Sequence, residues 1–512
     1  MESDRNSQSR LGKVYFVGAG PGDPGLITLR GADCLRQADL VLYDYLVNPA
    51  VLRHCPAGAE LVNLGHQHTP LEDRQKHINA QVVQAARQGK TVVRLKSGDP
   101  YVFGRSAEEV EAVRAAGIPF EVVPGVTAAL AAAGYAEIPI THAQHASAVA
   151  LVTGHQRKAD HGPPLDYGRL ASFPGTLVFY MGLNSAAQWS QALIAHGKPA
   201  GTPVAIVRRG SWPDQKVIRS TLGEVAAAIV AHQVRPPAVI VVGEVVDLAP
   251  AVSWFAARPL AGRRVLVTRP AAQADPLSER LASLGAEVLQ QPAVEIAHPP
   301  DWQPVDEALA RLDQFDWLVF SSANGVRYLL GRLLDSGGDV RRLAKLRLAA
   351  IGPGTAAALA TYCLRADLVP EDYRAEGLLE SLRYQARGKR FLLARASRGR
   401  QVLAEGLIAA GAYVEQLVVY SSIDVETADP AIYTELAAGG IDWVTVTSSA
   451  IARSLVRLFG QQLHRARLAS ISPVTSAVLN ELGFRPAAEA RQYTMEGLVE
   501  AILAQEAGAS GQ

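Results

Sequence analysis

Apolar and polar positions follow one another along this chain in a way that predicts strands feeding into loops. The run VYFVG from Val14 to Gly18 opens directly onto glycines and prolines, the pattern of a buried strand ending in a turn. A second run, Ala38 to Tyr43, predicts another strand, which carries the carboxylate of Asp44 to the same end of a sheet. RLKSGDP at Arg94 to Pro100 follows it. Ligands of α/β sheets sit outside the carboxyl ends of strands, so this arrangement predicts a ligand site. Further on, short apolar runs alternate with amphipathic segments such as Pro276 to Leu284, as in β-α-β units around a parallel sheet. The most apolar stretches, Val126 to Ala136 and Leu348 to Leu364, are broken by Gly134 and by Gly352-Pro353-Gly354. Neither reaches the ~20 uninterrupted residues that a bilayer requires, and no membrane span is predicted.

The second half repeats itself. GRRVLVTR from Gly262 recurs as GKRFLLAR from Gly388, LGAEV from Leu284 as AGAYV from Ala410, and FDWLVFSS from Phe315 as IDWVTVTS from Ile441. After a short deletion IGPGTAAAL from Ile351 recurs as ISPVTSAVL from Ile471, and EGL from Glu376 as EGL from Glu496. A period this long predicts two similar doubly wound lobes facing each other, not a solenoid. Repeated hydroxyls fall at the predicted strand ends: Thr268, Ser321, Ser322, Thr355, Thr447, Ser448 and Thr475. Each Ser-Ser is also a natural helix N-cap; their recurrence in both copies favours a cleft lined with donors for a flexible polyanion.

Composition narrows the classes. A chain of 512 residues, 48% apolar and 19% charged, is folded and long enough for three or four domains at about 150 residues each. MESDRNSQSR at the start lacks the apolar core of a secretion signal, which predicts a disordered tail over 1–10 and a cytoplasmic protein. Cys34, Cys55 and Cys363 have no metal-ligand spacing; they read as buried or half-buried thiols, and no metal is predicted. A net charge of +1 offers no field for nucleic acid. A polycarboxylate needs local cations instead, available at Arg94, Lys96 and Arg105 and again at Arg269, Arg395, Arg398 and Arg400, although most charges on any protein are solvated surface.

Gly20, Gly22 and Gly25 satisfy GxGxxG and Asp44 lies about 20 residues on, the formal signature of a dinucleotide site and hence of a nicotinamide-dependent oxidoreductase. Chemistry opposes that reading. A diphosphate cradle needs backbone N–H donors, which Pro21 and Pro24 lack, and Asp23 adds negative charge there. A donor-poor, slightly acidic rim suits adenosine bearing a positive centre, such as the sulfonium of S-adenosylmethionine. A tight strand-to-helix turn without any ligand is the bland alternative.

Ordered blocks decide among these. VGAGPGDPGLITLRG at Val17 to Gly31, YDYLV at Tyr43 to Val47, RLKSGDPYVFGR at Arg94 to Arg105, VPGVTAA at Val123 to Ala129, GTLVFYMGL at Gly175 to Leu183 and SWF at Ser253 to Phe255 resemble the uroporphyrinogen-III C-methyltransferases of the tetrapyrrole methylase group. The resemblance covers about residues 12–256. It implies a two-lobed fold, with lobes at 11–134 and 135–256, that assembles as a homodimer through this half. It further implies that Pro21, Ser97, Gly98, Asp99, Val102, Thr127, Ala128, Met181 and Gly210 hold S-adenosylmethionine, Asp99 pairing with its amino or ribose groups, and that Asp44 accepts a proton. From the residues alone, Met181 serves equally as core filling, and Asp44 as a helix cap or a partner of Arg53. His66 stands where the family's acid/base pair usually has lysine, and a histidine still donates or accepts a proton near neutral pH. Ser97 replaces a common glycine. The implied product is precorrin-2, for siroheme or cobalamin. With about ten residues before the first strand, no upstream dehydrogenase and ferrochelatase segment is expected, so oxidation and metal insertion would fall to other proteins.

Residues 262–505 resemble uroporphyrinogen-III synthase in VTRP at Val267 to Pro270, SSANGV at Ser321 to Val326, AIGPGTAAAL at Ala350 to Leu359, ARASRGRQVLAEGL at Ala394 to Leu407, VVY at Val418 to Tyr420 and TSSA at Thr447 to Ala450. The family closes hydroxymethylbilane to uroporphyrinogen III. Its fold implies two flavodoxin-like lobes, one built from 262–296 plus 421–505 and the other from 297–420, behind a linker at 257–261. Tyr420 matches a tyrosine thought to help the hydroxyl leave; a half-buried core ring is the alternative. Arg105, Thr268, Arg269, Ser322, Asn324, Thr355, Arg395, Thr447, Ser448 and Thr475 are the candidate contacts to substrate carboxylates. Ser472 occupies a position where the first copy has Gly352, and a side chain there is expected to narrow the substrate's approach to backbone donors. A rival reading keeps the methyltransferase active and leaves the second half only to bind tetrapyrrole.

Overall fold

A computed structural model describes residues 11–65, 71–155, 164–399 and 401–509. The expected tail at 1–10, His66 and Arg400 lie outside the described residues. Two compact units divide the chain, Met1–Gly262 and Arg263–Gln512. Among the described residues no helix is long and apolar enough to cross a membrane.

In the first unit, strands β1 (Val14–Gly18), β2 (Leu40–Tyr43), β3 (Glu60–Asn63), β4 (Val92–Lys96) and β5 (Phe120–Val123) form one sheet in the order β3-β2-β4-β1-β5, parallel throughout. Alternate residues feed two cores: Val14, Phe16, Leu42 and Val92 pack with Ile78 and Val110, whereas Val17, Val41, Val93 and Leu95 pack with Cys34 and Leu35. Burial on both faces explains the unbroken apolar runs. The chain leaves β1 toward β2 and leaves β4 toward β5, in opposite directions from neighbouring strands. The loops after β1 and β4 therefore open onto a switch point, where α/β sheets hold ligands. A second sheet holds β6 (Val149–Thr153), β7 (Thr176–Tyr180), β8 (Pro203–Arg208), β9 (Lys216–Thr221) and β10 (Ala238–Val242) in the order β6-β7-β10-β8-β9. Only β6 and β7 run parallel there.

The second unit also contains two five-stranded sheets. Its strands are β11 (Arg264–Val267), β12 (Glu287–Gln290), β13 (Val294–Ala297), β14 (Trp317–Phe320), β15 (Arg347–Ala350), β16 (Arg390–Ala396), β17 (Tyr413–Asp424), β18 (Trp443–Val446), β19 (Arg467–Ser470) and β20 (Ala488–Glu489). The sheets run β12-β11-β18-β19-β20 and β13-β17-β16-β14-β15. The first is the flavodoxin-like 2-1-3-4-5 order.

Lobes and sequence copies do not coincide. The first copy supplies β11, β12, β14 and β15, the second β16, β17, β18 and β19, yet each sheet pairs the opening strands of one copy with the later strands of the other. The crossings are also not loops. β17 pairs with β16 up to Tyr420, and its last residues pair antiparallel with β13, from Ser421 opposite Ala297 to Asp424 opposite Val294. The expected junctions at 296/297 and 420/421 thus lie inside a two-stranded ribbon, because the chain satisfies its backbone there by pairing its two passages with each other.

Candidate active sites

A cavity of about 730 Å³ opens at the switch point of the first unit. Pro21, Ser97, Gly98, Asp99, Val102, Thr127, Ala128, Met181 and Gly210 all line it, together with Asp44 and Arg105. Its floor is a contact of three backbones. A Cβ on Gly125 would lie 2.3 Å from the Gly98 oxygen and 2.7 Å from the Gly18 Cα, so no side chain fits. Gly20 and Gly98, both at positive φ, bridge the two loops, the Gly98 N–H donating to the Gly20 carbonyl at 2.8 Å. Phe103, Arg105, Met181 and Arg209 adopt left-handed backbone at φ 55, 57, 52 and 48° and all line the cavity; such strain persists where surrounding structure enforces it, typically at ligand sites. Met181 is 53% exposed, which rules out core filling. Thr127 precedes the helix Ala128–Tyr135 without capping it; its hydroxyl meets the Tyr180 phenol at 2.6 Å, and that phenol accepts from the Ala129 N–H at 2.8 Å.

The glycine-proline loop holds no cradle for a diphosphate. Its Gly20 N–H donates to the Gly98 carbonyl, Asp23 N–H to the Ser211 hydroxyl, Gly25 N–H to the Asp23 carboxylate and Leu26 N–H to the Asp23 carbonyl. With Pro21 and Pro24 lacking N–H groups, those amides are engaged inside the protein. Asp23, however, does not acidify the rim. Its second oxygen takes the Tyr135 hydroxyl at 2.7 Å, and burial, reinforced by that carboxylate, pushes the Tyr135 phenol up. The acids on the cavity wall are Asp44 and Asp99. Asp99 accepts from the Gly125 and Tyr101 N–H groups at 3.0 and 2.8 Å, so it also fastens the loop that its expected role leaves it free to face.

Asp44 caps no helix: Asn48 caps the turn that follows it, and the Asp44 Oδ1 receives the Arg94 Nη2 at 2.6 Å. Arg94 and Lys96 are buried, not solvated. Lys96 reaches the cavity wall, and burial followed by repulsion from Arg94 lowers its pKa. Arg105 also lines the cavity; its Nη2 pairs with Glu108 at 2.6 Å, while its buried Nη1 has no hydrogen-bond partner among the described residues. Sequence reasoning missed Phe103, His155, Tyr180 and Arg209 on this wall. Phe103 and Tyr180 lay within the quoted blocks; nothing local marks Arg209 or His155.

The second unit carries a cleft of about 570 Å³. Tyr420, Arg395, Thr447, Ser448 and Thr475 line it, with Arg374, Arg398 and Arg453. Thr268, Arg269, Ser322, Asn324 and Thr355 do not. Thr268 is fully buried, its hydroxyl donating to the Thr445 carbonyl across the sheet. Thr355 is buried in the first turn of the helix Pro353–Ala360. Arg269 is half-buried with its guanidinium on the Met495 sulfur, and burial, then nearby Arg327, lower its pKa. Ser322 caps the helix Ala323–Asp335 by accepting from the Gly325 N–H at 3.0 Å. Ser322 and Asn324 also hydrogen-bond the Tyr420 phenol, which is 7% exposed and raised by burial against those two bonds. Ser472 is extended at φ −163° and caps the helix Pro473–Glu481, so its side chain turns to the Thr475 N–H at 3.4 Å. Its counterpart Gly352 leaves room for Tyr373, whose Cβ lies 3.2 Å from where a Cβ would stand. Tyr373 and Tyr493, three residues before EGL in each copy, both line the cleft; the repeat contained that signal. No group of three or more His, Cys, Asp or Glu that could hold a metal occurs among the described residues.

Two pieces of the chain match family models: residues 13–226 match Tetrapyrrole (Corrin/Porphyrin) Methylases and residues 275–500 match Uroporphyrinogen-III synthase HemD. The chain is 39% identical to the Porphyrin biosynthesis protein HemD of Ruminiclostridium josui over 70% of its own length and 71% of that protein's. It is 39% identical to the Uroporphyrinogen-III C-methyltransferase of Bacillus subtilis (strain 168) over 66% of its length and 69% of that protein's. A solved uroporphyrin-III C-methyl transferase from Thermus thermophilus, 40% identical, covers 46% of this chain and 94% of its own at a TM-score of 0.40. The family matches and the sequence relatives define an enzyme of tetrapyrrole biosynthesis. The chain belongs to the tetrapyrrole methylase family in its first unit and to the uroporphyrinogen-III synthase (HemD) family in its second.

Proposed function

We propose that the chain is bifunctional: the second unit closes hydroxymethylbilane to uroporphyrinogen III, and the first methylates that product with S-adenosylmethionine to precorrin-2. The observation that carries the methyltransferase reading is the single cavity whose wall gathers all the residues expected to hold the cofactor. Its donor set fits a sulfonium ligand and not a diphosphate. Glycines admit a flat group close to the backbone, the Met181 thioether and two carboxylates face inward, and the loop amides are engaged elsewhere. When bound, the cofactor supplies an electrophilic methyl group. Asp44 then takes the proton that the methylated ring releases, and the buried Nη1 of Arg105 meets a substrate carboxylate, a charge-assisted bond. His66, standing where the family's acid/base pair usually has lysine, would donate or accept a proton. The partners of this reading are the two tetrapyrroles and, through the methyltransferase unit, a second copy of the chain.

In the second unit the Tyr420 phenol, which burial raises further above its ordinary value, carries its proton at neutral pH, as a proton donor to a departing hydroxyl requires. Arg395, Arg398, Thr447 and Thr475 would hold carboxylates around it. A second reading, in which this unit only binds tetrapyrrole, draws on the diversion of Thr268 and Ser322 to structural bonds and on the burial of Thr355. One experiment separates them. Hydroxymethylbilane is supplied with and without S-adenosylmethionine, and products are resolved by mass and isomer. Isomer III in excess over the spontaneous isomer I, gaining methyl groups only with the cofactor, is expected. Isomer I alone would remove the synthase; tight nicotinamide-dinucleotide binding without methyl transfer would remove the methyltransferase.

A further inference from the structure

Behind the methyltransferase cavity lies a buried charge cluster that the proposed reaction leaves unexplained. Strand β4 places Arg94 and Lys96 on one face, two residues apart, and the helix Ser106–Ala115 sets Glu109 against both. The Glu109 side chain is 3% exposed. It accepts from Arg94 Nε at 3.2 Å, from Lys96 Nζ at 3.0 and 3.1 Å, and from Gln75 Nε2 at 3.0 Å. The far side of the Arg94 guanidinium reaches Asp44 at 2.6 Å, while its Nη1 donates to the Leu95 and Leu42 carbonyls at 3.1 and 3.5 Å. All three nitrogens of a rigid planar fork are thereby fixed.

Burying two cations and a carboxylate is costly, and apolar residues of similar volume stabilise a core at least as well. The arrangement instead gives Arg94 two anions, one at the cavity edge and one behind it. When Asp44 carries a proton, it ceases to compensate Arg94. Glu109 then prevents that guanidinium from being left as an unpaired buried charge, so uptake of the proton does not strand a cation. Lys96, at the cavity wall, is held by the same carboxylate.

We propose that Glu109 is a positioning residue for proton transfer, acting on Asp44 through Arg94 and holding Lys96 at the cavity wall. This rests on reading the first unit as a methyltransferase. The test is a double-mutant cycle on the full chain, with methyl transfer to uroporphyrinogen III followed under steady-state and single-turnover conditions. Glu109→Gln is expected to lower kcat roughly 10- to 100-fold, as misplacement of a reacting group does, with KM and cofactor Kd within about twofold. In an Asp44→Asn background the same change is expected to add no further loss, because the two act as one path. If Glu109→Gln does not fold, Arg94→Lys, which keeps the charge and loses the fork, runs the same cycle with the same expectation. Unchanged kcat, or losses that multiply in the double variant, overturns the inference alone. A wild-type chain that transfers no methyl group overturns it together with the reading on which it rests.

Discussion

In the first unit the described candidate residues converge on one cavity, whereas in the second unit half of them turn away from the cleft. The difference lies in why each residue type recurs. Gly18 and Gly125 stand where backbones touch and a side chain cannot enter, and Gly98 holds a positive φ that other residues rarely adopt, constraints that no ordinary turn imposes. The hydroxyls of the second unit recur for a plainer reason: both lobes need helix N-caps after the same strands, and Ser322, Ser448 and Ser472 each provide one. Internal duplication copies structural requirements as faithfully as functional ones. Recurrence of Ser-Ser therefore carried less information about ligands than it seemed to promise, while the recurring Tyr373 and Tyr493, which no cap requires, do face the cleft.

The largest effect expected from this contrast belongs to Gly125→Ala. Its methyl would stand 2.3 Å from the Gly98 carbonyl oxygen, forcing the two cavity loops apart at a cost of about 1–3 kcal/mol. Methyl transfer should fall at least about 100-fold, since ångström-scale misplacement alone does that. Formation of isomer III by the same preparation should be unchanged; joint loss would show that the units do not work separately. Arg105→Met comes next. Removing the buried, unpartnered Nη1 should raise KM for uroporphyrinogen III about 10- to 100-fold, the loss of one hydrogen bond to a charged group. An unaltered KM would show that this nitrogen meets no carboxylate.

How much was legible in advance follows the same physics. The strand-loop signals around Val14, Asp44 and Arg94 were readable because both faces of that sheet are buried and its loops carry glycine where only glycine fits. The Arg94–Glu109–Lys96 cluster was not, since nothing in SAEEVEAVRA marks Glu109 as buried while its neighbour Glu108 is exposed. Likewise the repeat revealed two copies but not their interleaving. The family resemblance implied it through lobes of 262–296 plus 421–505 and of 297–420, and the hydrogen bonds between β11 and β18, and between β14 and β16, show each lobe combining parts of both copies. Pairing across such distances in sequence leaves no local trace.

Ser448→Ala tests the capping account directly. Loss of the bond to the Ile451 N–H at 3.2 Å should destabilise the second unit by about 1 kcal/mol, visible in its thermal midpoint, with isomer III yield within about twofold. A tenfold rise in substrate KM without loss of stability would make Ser448 a ligand and not only a cap.

The smallest effect concerns acid stability, and it separates the units in one measurement. Glu121 in the first unit is held at about 2, against 4.5 for an ordinary glutamate, by hydrogen bonds from Arg30 and then Lys13. A carboxylate whose folded value lies below its unfolded one adds stability that is complete above pH 4.5 and fades as the pH falls toward 2; protonation then proceeds in the unfolded chain first. The side chain is 32% exposed, so the contribution is that of a surface pair, below about 1 kcal/mol. Glu121→Gln should therefore lower the first unit's midpoint slightly at pH 7, converge with wild type near pH 2 and leave the second unit's transition in place. There Asp424 holds its own depressed value, burial opposing and Arg398, Ser454 and Arg457 prevailing. A shift of both transitions by Glu121→Gln would mean that the two units unfold as one and that cavity and cleft are energetically coupled.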